Sequence, residues 1–354
     1  MTSNPEFNAT TSGTEVATAF GDEIRGRNVV ITGVSPSGIG ESTAVAIASQ
    51  APETLILASR TRSKVEQVAF DIKTKYPGVA VKVVILDLSS IESIKSAAAD
   101  ITSSLDRIDV LINNAGIALQ RRDTVVTPGG IKTDLQLFTN HVGPFLFTEL
   151  LLPKLLEAGS EAQKGAPRIV NLSSHGHRLS PIRFSDYSFE KDLYDGVPEE
   201  ERPPSGVAPG LLQVMDGYPG FVGYGQSKTA NVLHAIELNI RLQRNGANLL
   251  ALSVHPGTIE TGLLRDVDDQ GRQTLGGTAP NGVWKSIDQG AATTIVAAFD
   301  PKLVDRIQDS SGGCLYLADC QPGEEKMAVH ATDVKAAGRL WNETKKMLEI
   351  ETIL

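Results

Sequence analysis

The sequence predicts an α/β protein: a doubly wound, seven-stranded parallel sheet with helices on both faces, in a single domain. Three observations predict it. Short β-branched apolar runs alternate with segments of helical spacing along the chain, the pattern of a parallel sheet covered on both sides. The first apolar run passes directly into a glycine-rich turn that opens a helix. The chain has 354 residues, 41% of them hydrophobic, enough to bury a large core. Right-handed crossovers then give the doubly wound arrangement.

Residues 29–32 (VVIT) are short, β-branched and followed at once by glycine, so they read as a buried strand. Residues 39–50 carry small and apolar residues at helical spacing, and 55–58 form the second strand. Residues 61–76 are a charged amphipathic helix ending before Pro77, and 79–86 are the third strand, ended by Asp87. The alternation continues with a helix at 90–105, a strand at 110–112, and a long helix at 131–157 interrupted near Gly143 and Pro144. A fifth strand at 168–172, a helix at 225–244, a sixth strand at 249–254, a helix at 286–299 and a last strand at 314–317 complete the pattern. Two stretches break the rhythm: 176–223, rich in Pro, Gly and Glu, and 257–285, rich in Gly, Asp and Thr. Both leave the carboxyl ends of strands, where ligands bind in open α/β sheets. They are expected to wall a substrate pocket, with 257–285 as its lid, and a solvated loop is an equal reading of 190–215.

The net charge of −9 and the lack of a basic stripe exclude a nucleic-acid partner. Cys314 and Cys320 read as reduced thiols, with a short cross-link as the alternative, and no ligand set accompanies them, so no metal site is expected. The first 24 residues are expected to be a polar extension, mobile to about Thr14, with no basic start and apolar run of a secretory signal. No run is long enough to span a membrane. These readings place the protein in the cytoplasm, and a homodimer is compatible with them.

The turn after the first strand reads Thr32-Gly33-Val34-Ser35-Pro36-Ser37-Gly38-Ile39-Gly40. Its glycines let backbone amides approach a pyrophosphate, and the following helix adds its positive end. Gly33, Ser35, Ser37, Gly38, Ile39 and Gly40 are the candidate contacts, while Pro36 has no N–H to offer. The second strand ends in Ser59-Arg60-Thr61, with Lys64 one turn on. An NAD site usually has a carboxylate there to hold the ribose hydroxyls. Here a guanidinium can pair with a 2′-phosphate through two hydrogen bonds, so the cofactor is expected to be NADP(H).

Tyr224 and Lys228 stand four apart in Tyr-Gly-Gln-Ser-Lys and share one face of a helix. An adjacent ammonium and a cationic nicotinamide ring favour the phenolate, so the tyrosine pKa is expected to fall toward working pH. Ser173 and Ser174 close the fifth strand, where a hydroxyl can donate to a substrate oxygen. His255 is followed by Pro-Gly, but no G-x-S-x-G elbow is present, so a hydrolase is rejected.

The glycine turn resembles the T-G-x-x-x-G-x-G motif of the short-chain dehydrogenase/reductase family, with four residues rather than three between Gly33 and Gly38. Asn113-Asn114-Ala115-Gly116 resembles the family's N-N-A-G turn, and the Tyr224/Lys228 spacing its Y-x-x-x-K pair. The resemblance covers roughly residues 25–345. It implies a Rossmann-type oxidoreductase with Asn140, Ser174, Tyr224 and Lys228 as the catalytic set, Ser173 being the runner-up to Ser174. Asn140 would break its helix and hold a water that relays protons to Lys228. Asp87 and Leu88 would border the adenine, and Asn114, Ala115 and Gly116 the cofactor. Pro256, Gly257, Ile259 and Thr261 would hold the nicotinamide carboxamide.

The segments N-H-V-G-P-F-L-F-T and N-L-S-S-H-G-H are similar to the branch of retinol dehydrogenases and WW-domain oxidoreductases, in the manner of soluble fungal homologues. That likeness implies a lipophilic alcohol or carbonyl as substrate. A cofactor-binding redox sensor without turnover is the alternative. The stretch between Ser174 and Tyr224 holds 49 residues, more than the family usually has.

Overall fold

The computed structural model describes residues 2–160, 166–277, 279, 282–305 and 315–354. Ten strands are found among these: β1 (Asn28–Thr32), β2 (Thr54–Ser59), β3 (Ala80–Ile85), β4 (Val110–Asn113), β5 (Thr124–Val126), β6 (Lys132–Asp134), β7 (Arg168–Leu172), β8 (Leu250–His255), β9 (Tyr316–Ala318) and β10 (Gln321–Pro322). The main sheet runs β3-β2-β1-β4-β7-β8-β9-β10. Its first seven members are parallel, as expected. An eighth strand, β10, adds antiparallel to β9 at the edge. The last parallel strand was expected from 314, and Cys314 lies outside the described residues.

The period of two in each strand divides the core into two layers. Val29 and Ile31 point into one apolar cluster and Val30 into the other; Leu55 and Leu57 oppose Ile56 in the same way. One face is covered by α1 (Gly13–Ala19), α3 (Ile39–Ala48), α4 (Arg62–Lys75) and α10 (Ile287–Phe299). The other is covered by α5 (Ile91–Ser104), α7 (Gly143–Ser160), α8 (Gly220–Arg244) and a C-terminal helix, Val334–Leu348. Trp341 of that last helix is buried edge-on against Phe145, with ring centroids 4.8 Å apart.

Two expectations are corrected. The long helix expected from 131 begins later, because 132–134 pair with 124–126 as an antiparallel hairpin. The Asp134 carboxylate accepts the Leu137 N–H, capping a short helix Leu135–Leu137. A π-helical turn, Phe138–Val142, and then α7 follow. The start of the chain is docked rather than mobile. Phe7, Val16, Ala17 and Phe20 are buried, and α1 packs on α3 and α10. Ser3 donates to Asp300 through its backbone N–H (2.7 Å) and its hydroxyl (2.6 Å). Composition concealed this docking because four apolar residues are spread among polar ones, and they pack on α3 and on the distant α10. Ser3→Ala is expected to cost about 1 kcal/mol of stability, read by urea unfolding, and to speed proteolysis within the first dozen residues. An unchanged midpoint and cleavage rate would show that the segment is held by its apolar contacts alone.

Candidate active site

The site grows from the carboxyl ends of β1, β2, β4, β7 and β8. Gly33 follows β1 with φ of +74°, and a Cβ there would lie 2.5 Å from Ala115 Cα. Glycine is required on both counts. Asn114 Nδ2 donates to the Thr32 carbonyl at 2.8 Å, and the Ala115 N–H to Thr32 Oγ1 at 3.1 Å. The turns after β1 and β4 are thus tied into one wall. The phosphate loop itself bends at Ser37, a left-handed residue (φ 59°) whose N–H donates to Glu41 at 2.6 Å.

These turns line a groove of about 320 Å³. It brings together Gly33, Ser35, Ser37, Gly38, Ile39, Gly40, Arg60, Lys64, Asp87, Leu88, Asn114, Ala115, Gly116, Pro256 and Thr261, with Tyr224 and Lys228 at its inner end. The groove fits an extended dinucleotide, with a close-approach backbone at one end and exposed cations at another. Asp87 also holds its own turn, because its Oδ1 accepts from the Ser89 N–H and hydroxyl. Sequence reasoning missed Ser59, Thr61, Thr139 and Arg265, which line the same groove. The first two flank Arg60 and could have been named. Arg265 arrives only through the fold of the segment after β8.

Gly257 and Ile259 were expected at the cofactor but line a second cavity instead. The chain turns out of the groove at Gly257, whose φ is +109°. This second cavity, about 500 Å³, shares Ile39, Ser173, Tyr224, Pro256, Thr261 and Leu263 with the groove. Its walls are largely apolar, with Leu211, Phe221, Leu264, Val267 and Trp284 in one cluster, and Arg178, His175 and His255 also line it. Residues 204–208 and Leu211, within the stretch open to a solvated-loop reading, contribute to its lining. Buried Arg183 braces that stretch through an ion pair to Asp186 (2.9 Å) and the Leu193 carbonyl.

Between groove and cavity sit the residues expected to handle the proton. Ser174 lines the cavity, and its Oγ accepts the Gly176 N–H at 3.0 Å. Ser173 instead donates its hydroxyl to the Lys228 carbonyl at 2.8 Å, joining β7 to α8, so Ser174 is the better placed of the two. Lys228 is buried, its Nζ 2.9 Å from the Leu172 carbonyl and 5.4 Å from the Tyr224 ring centroid. Burial lowers its pKa to about 8. Tyr224 is pushed up to about 12 by burial, offset in part by a hydrogen bond with Ser174. The expected fall of the tyrosine pKa is therefore not produced by the chain alone, since desolvation of the phenolate outweighs its hydrogen bond with Ser174.

Asn140 lies in the π-helical turn, as a disturbed helix requires. It lines neither space. Its Oδ1 accepts the Ile117 N–H (2.8 Å), and its Nδ2 donates to the Ile117 carbonyl and to Ser227 Oγ (2.9 Å each). A side chain at Gly116 would meet Asn140 Oδ1 at 3.4 Å and Lys228 Nζ at 3.3 Å, so both groups border one point. His141 is buried beside Phe145, with Nε2 3.0 Å from Thr344 Oγ1. No described helix is long and apolar enough to cross a membrane.

The comparisons agree with this geometry. A family model described as short chain dehydrogenase matches residues 27–194. Oxidoreductase fscI of Fusarium equiseti is 36% identical over 253 residues, covering 71% of this chain and 94% of its own. Retinol dehydrogenase 13 of Homo sapiens is 32% identical over 332 residues, 93% and 86% of the two chains. Among solved structures, an uncharacterized protein from Mycobacterium Paratuberculosis is similar at 29% identity and a TM-score of 0.63, covering 94% of this chain and 96% of that one. With the strand–glycine–helix turn, the Asn-Asn-Ala-Gly wall and the Tyr224/Lys228 pair in one groove, the chain belongs to the short-chain dehydrogenase/reductase family of nicotinamide-dependent oxidoreductases, in its retinol dehydrogenase-like branch.

Proposed function

We propose that this protein is an NADP(H)-dependent alcohol dehydrogenase or carbonyl reductase acting on a small lipophilic substrate. The observation that carries the reading is the position of Tyr224, in the wall shared by the dinucleotide groove and the apolar cavity. NADP(H), when bound in the groove, supplies or accepts the hydride. The Tyr224 hydroxyl gives its proton to the substrate oxygen in reduction and takes it back in oxidation. Ser174 donates a hydrogen bond to that oxygen as charge develops. Lys228 favours the tyrosinate by its charge and, with Asn140 bordering the same point, leads the proton toward water. The apolar wall excludes water and selects carbon-rich substrates. Retinol dehydrogenase 13 bears a name in keeping with such substrates. Assaying NADPH and NADH oxidation with a panel of lipophilic aldehydes and ketones tests the reading. Turnover with NADPH is expected, and tight dinucleotide binding without turnover across the panel would favour a sensor.

The segment after β8 serves as the lid of this cavity. Its neck is pinned where Lys285 donates its backbone N–H to the Thr258 carbonyl at 2.9 Å and Ile259 bridges Lys285. Its helix α9 (Asp269–Gly276) packs on the Pro209–Leu211 turn of the insertion. Residues 278 and 280–281 of the lid lie outside the described residues. Hydrogen exchange should show new protection in 257–277 when cofactor and substrate are both saturating. Unchanged exchange there would make the segment a fixed wall.

A further inference from the structure

The largely apolar cavity is also lined by polar residues that the reaction above does not use, Arg178, Ser205, Thr258 and two histidines among them. His255, the last residue of β8, and His175, next to Ser174, both line it. Their rings are stacked, with centroids 3.6 Å apart and planes within 20°. The His175 backbone N–H donates to His255 Nδ1 at 3.1 Å. A ring whose Nδ1 accepts carries its proton on Nε2. That Nε2–H has no hydrogen-bond partner among the described residues, and it is not among the sealed, unpartnered buried atoms. Burial and the neighbouring His175 keep the His255 pKa well below its ordinary value, and burial with Arg178 lowers His175 to about 3. The pair is therefore neutral across the physiological range. Stacking on one side and a backbone hydrogen bond at Nδ1 leave His255 as a rigid, uncharged donor in the wall of the cavity.

We infer that His255 is a specificity residue whose Nε2–H donates to a second acceptor oxygen on the substrate, one carried near the reacting carbonyl. This rests on the oxidoreductase reading of the same cavity. The substrate class becomes a lipophilic carbonyl compound with a further neutral oxygen, keto or ether, rather than a plain hydrocarbon ketone. A neutral donor gives no charge compensation to a carboxylate, and the Arg178 guanidinium on the same wall is engaged by the Lys326 carbonyl. A substrate lacking the oxygen leaves the buried donor unpaired, which separates the two classes.

The test compares 2-octanone with 2,3-octanedione and 2,5-octanedione, assayed with NADPH, for the native protein, His255→Phe and His255→Asn. The native protein should prefer at least one dione by about tenfold in kcat/KM, the worth of one hydrogen bond. His255→Phe should bring that ratio near one, and His255→Asn, which keeps an N–H, should restore part of it. An equal ratio in the native protein and His255→Phe, or no dione preference in the native protein, overturns the inference. A second measurement is independent of turnover and of how the variants fold. Imidazole nitrogen NMR of the native protein with NADP+ should show His255 protonated at Nε2 only, with that resonance moving on addition of the preferred dione. A proton on Nδ1, or no movement at saturating dione, also overturns it. If the dione moves the resonance while none of the three ketones turns over, the donor stands and the oxidoreductase reading fails.

Discussion

Replacing Tyr224 by Phe is expected to lower turnover by about 10²–10⁴, the range of a lost general acid–base group, while dinucleotide binding stays close to native. The ring keeps its place between groove and cavity, and only the hydroxyl that bonds Ser174 is removed. The sign with pH follows from the raised pKa of about 12. Below that value the phenol is protonated, which suits donation to a carbonyl in reduction. Oxidation needs the phenolate, so its rate should climb as pH rises, until the tyrosine or the buried Lys228 (about 8) limits it. Steady-state rates in both directions, beside cofactor titration by fluorescence, check this. A variant with native turnover would remove Tyr224 from the proton path.

Arg60→Ala should weaken NADP(H) binding by about 1.5–3 kcal/mol, roughly 10- to 150-fold, the worth of hydrogen bonds to a charged group. Binding of NAD(H) should hardly change. Arg60 follows β2 directly, between Ser59 and Thr61, with Lys64 on the same groove wall. Its exposure lets salt screen the contact, so the loss belongs at the lower end and should shrink as ionic strength rises. Titration of both cofactors at two salt concentrations is the measurement. Native protein that binds NAD(H) more tightly than NADP(H) would overturn the assignment.

Much of the molecule could be read locally. A strand buried on both faces needs only a short continuous apolar run, so β1, β2, β4 and β7 were legible. The expected helix at 286–299 was also legible; Ser286 and Gln289 form a reciprocal cap on α10. The phosphate turn and the Tyr224/Lys228 pair lie within single elements, and spacing alone sets which faces they share. The β5–β6 hairpin was hidden by a helical pattern that begins three residues later. The docked N-terminal segment was hidden because its stabilising contacts cross most of the chain.

The sequence by itself thus determined the layered α/β fold, and it pointed to the glycine-turn groove and to the residues proposed to handle the proton. Tertiary structure alone showed that the Ser173 hydroxyl is spent on the Lys228 carbonyl, which supports the expected choice of Ser174. It also decided that Gly257 and Ile259 serve the cavity rather than the groove, and that burial raises the Tyr224 pKa. Direction, desolvation and cavity shape arise from residues far apart in sequence. No local spacing carries them, because each is a property of the space that several elements enclose together.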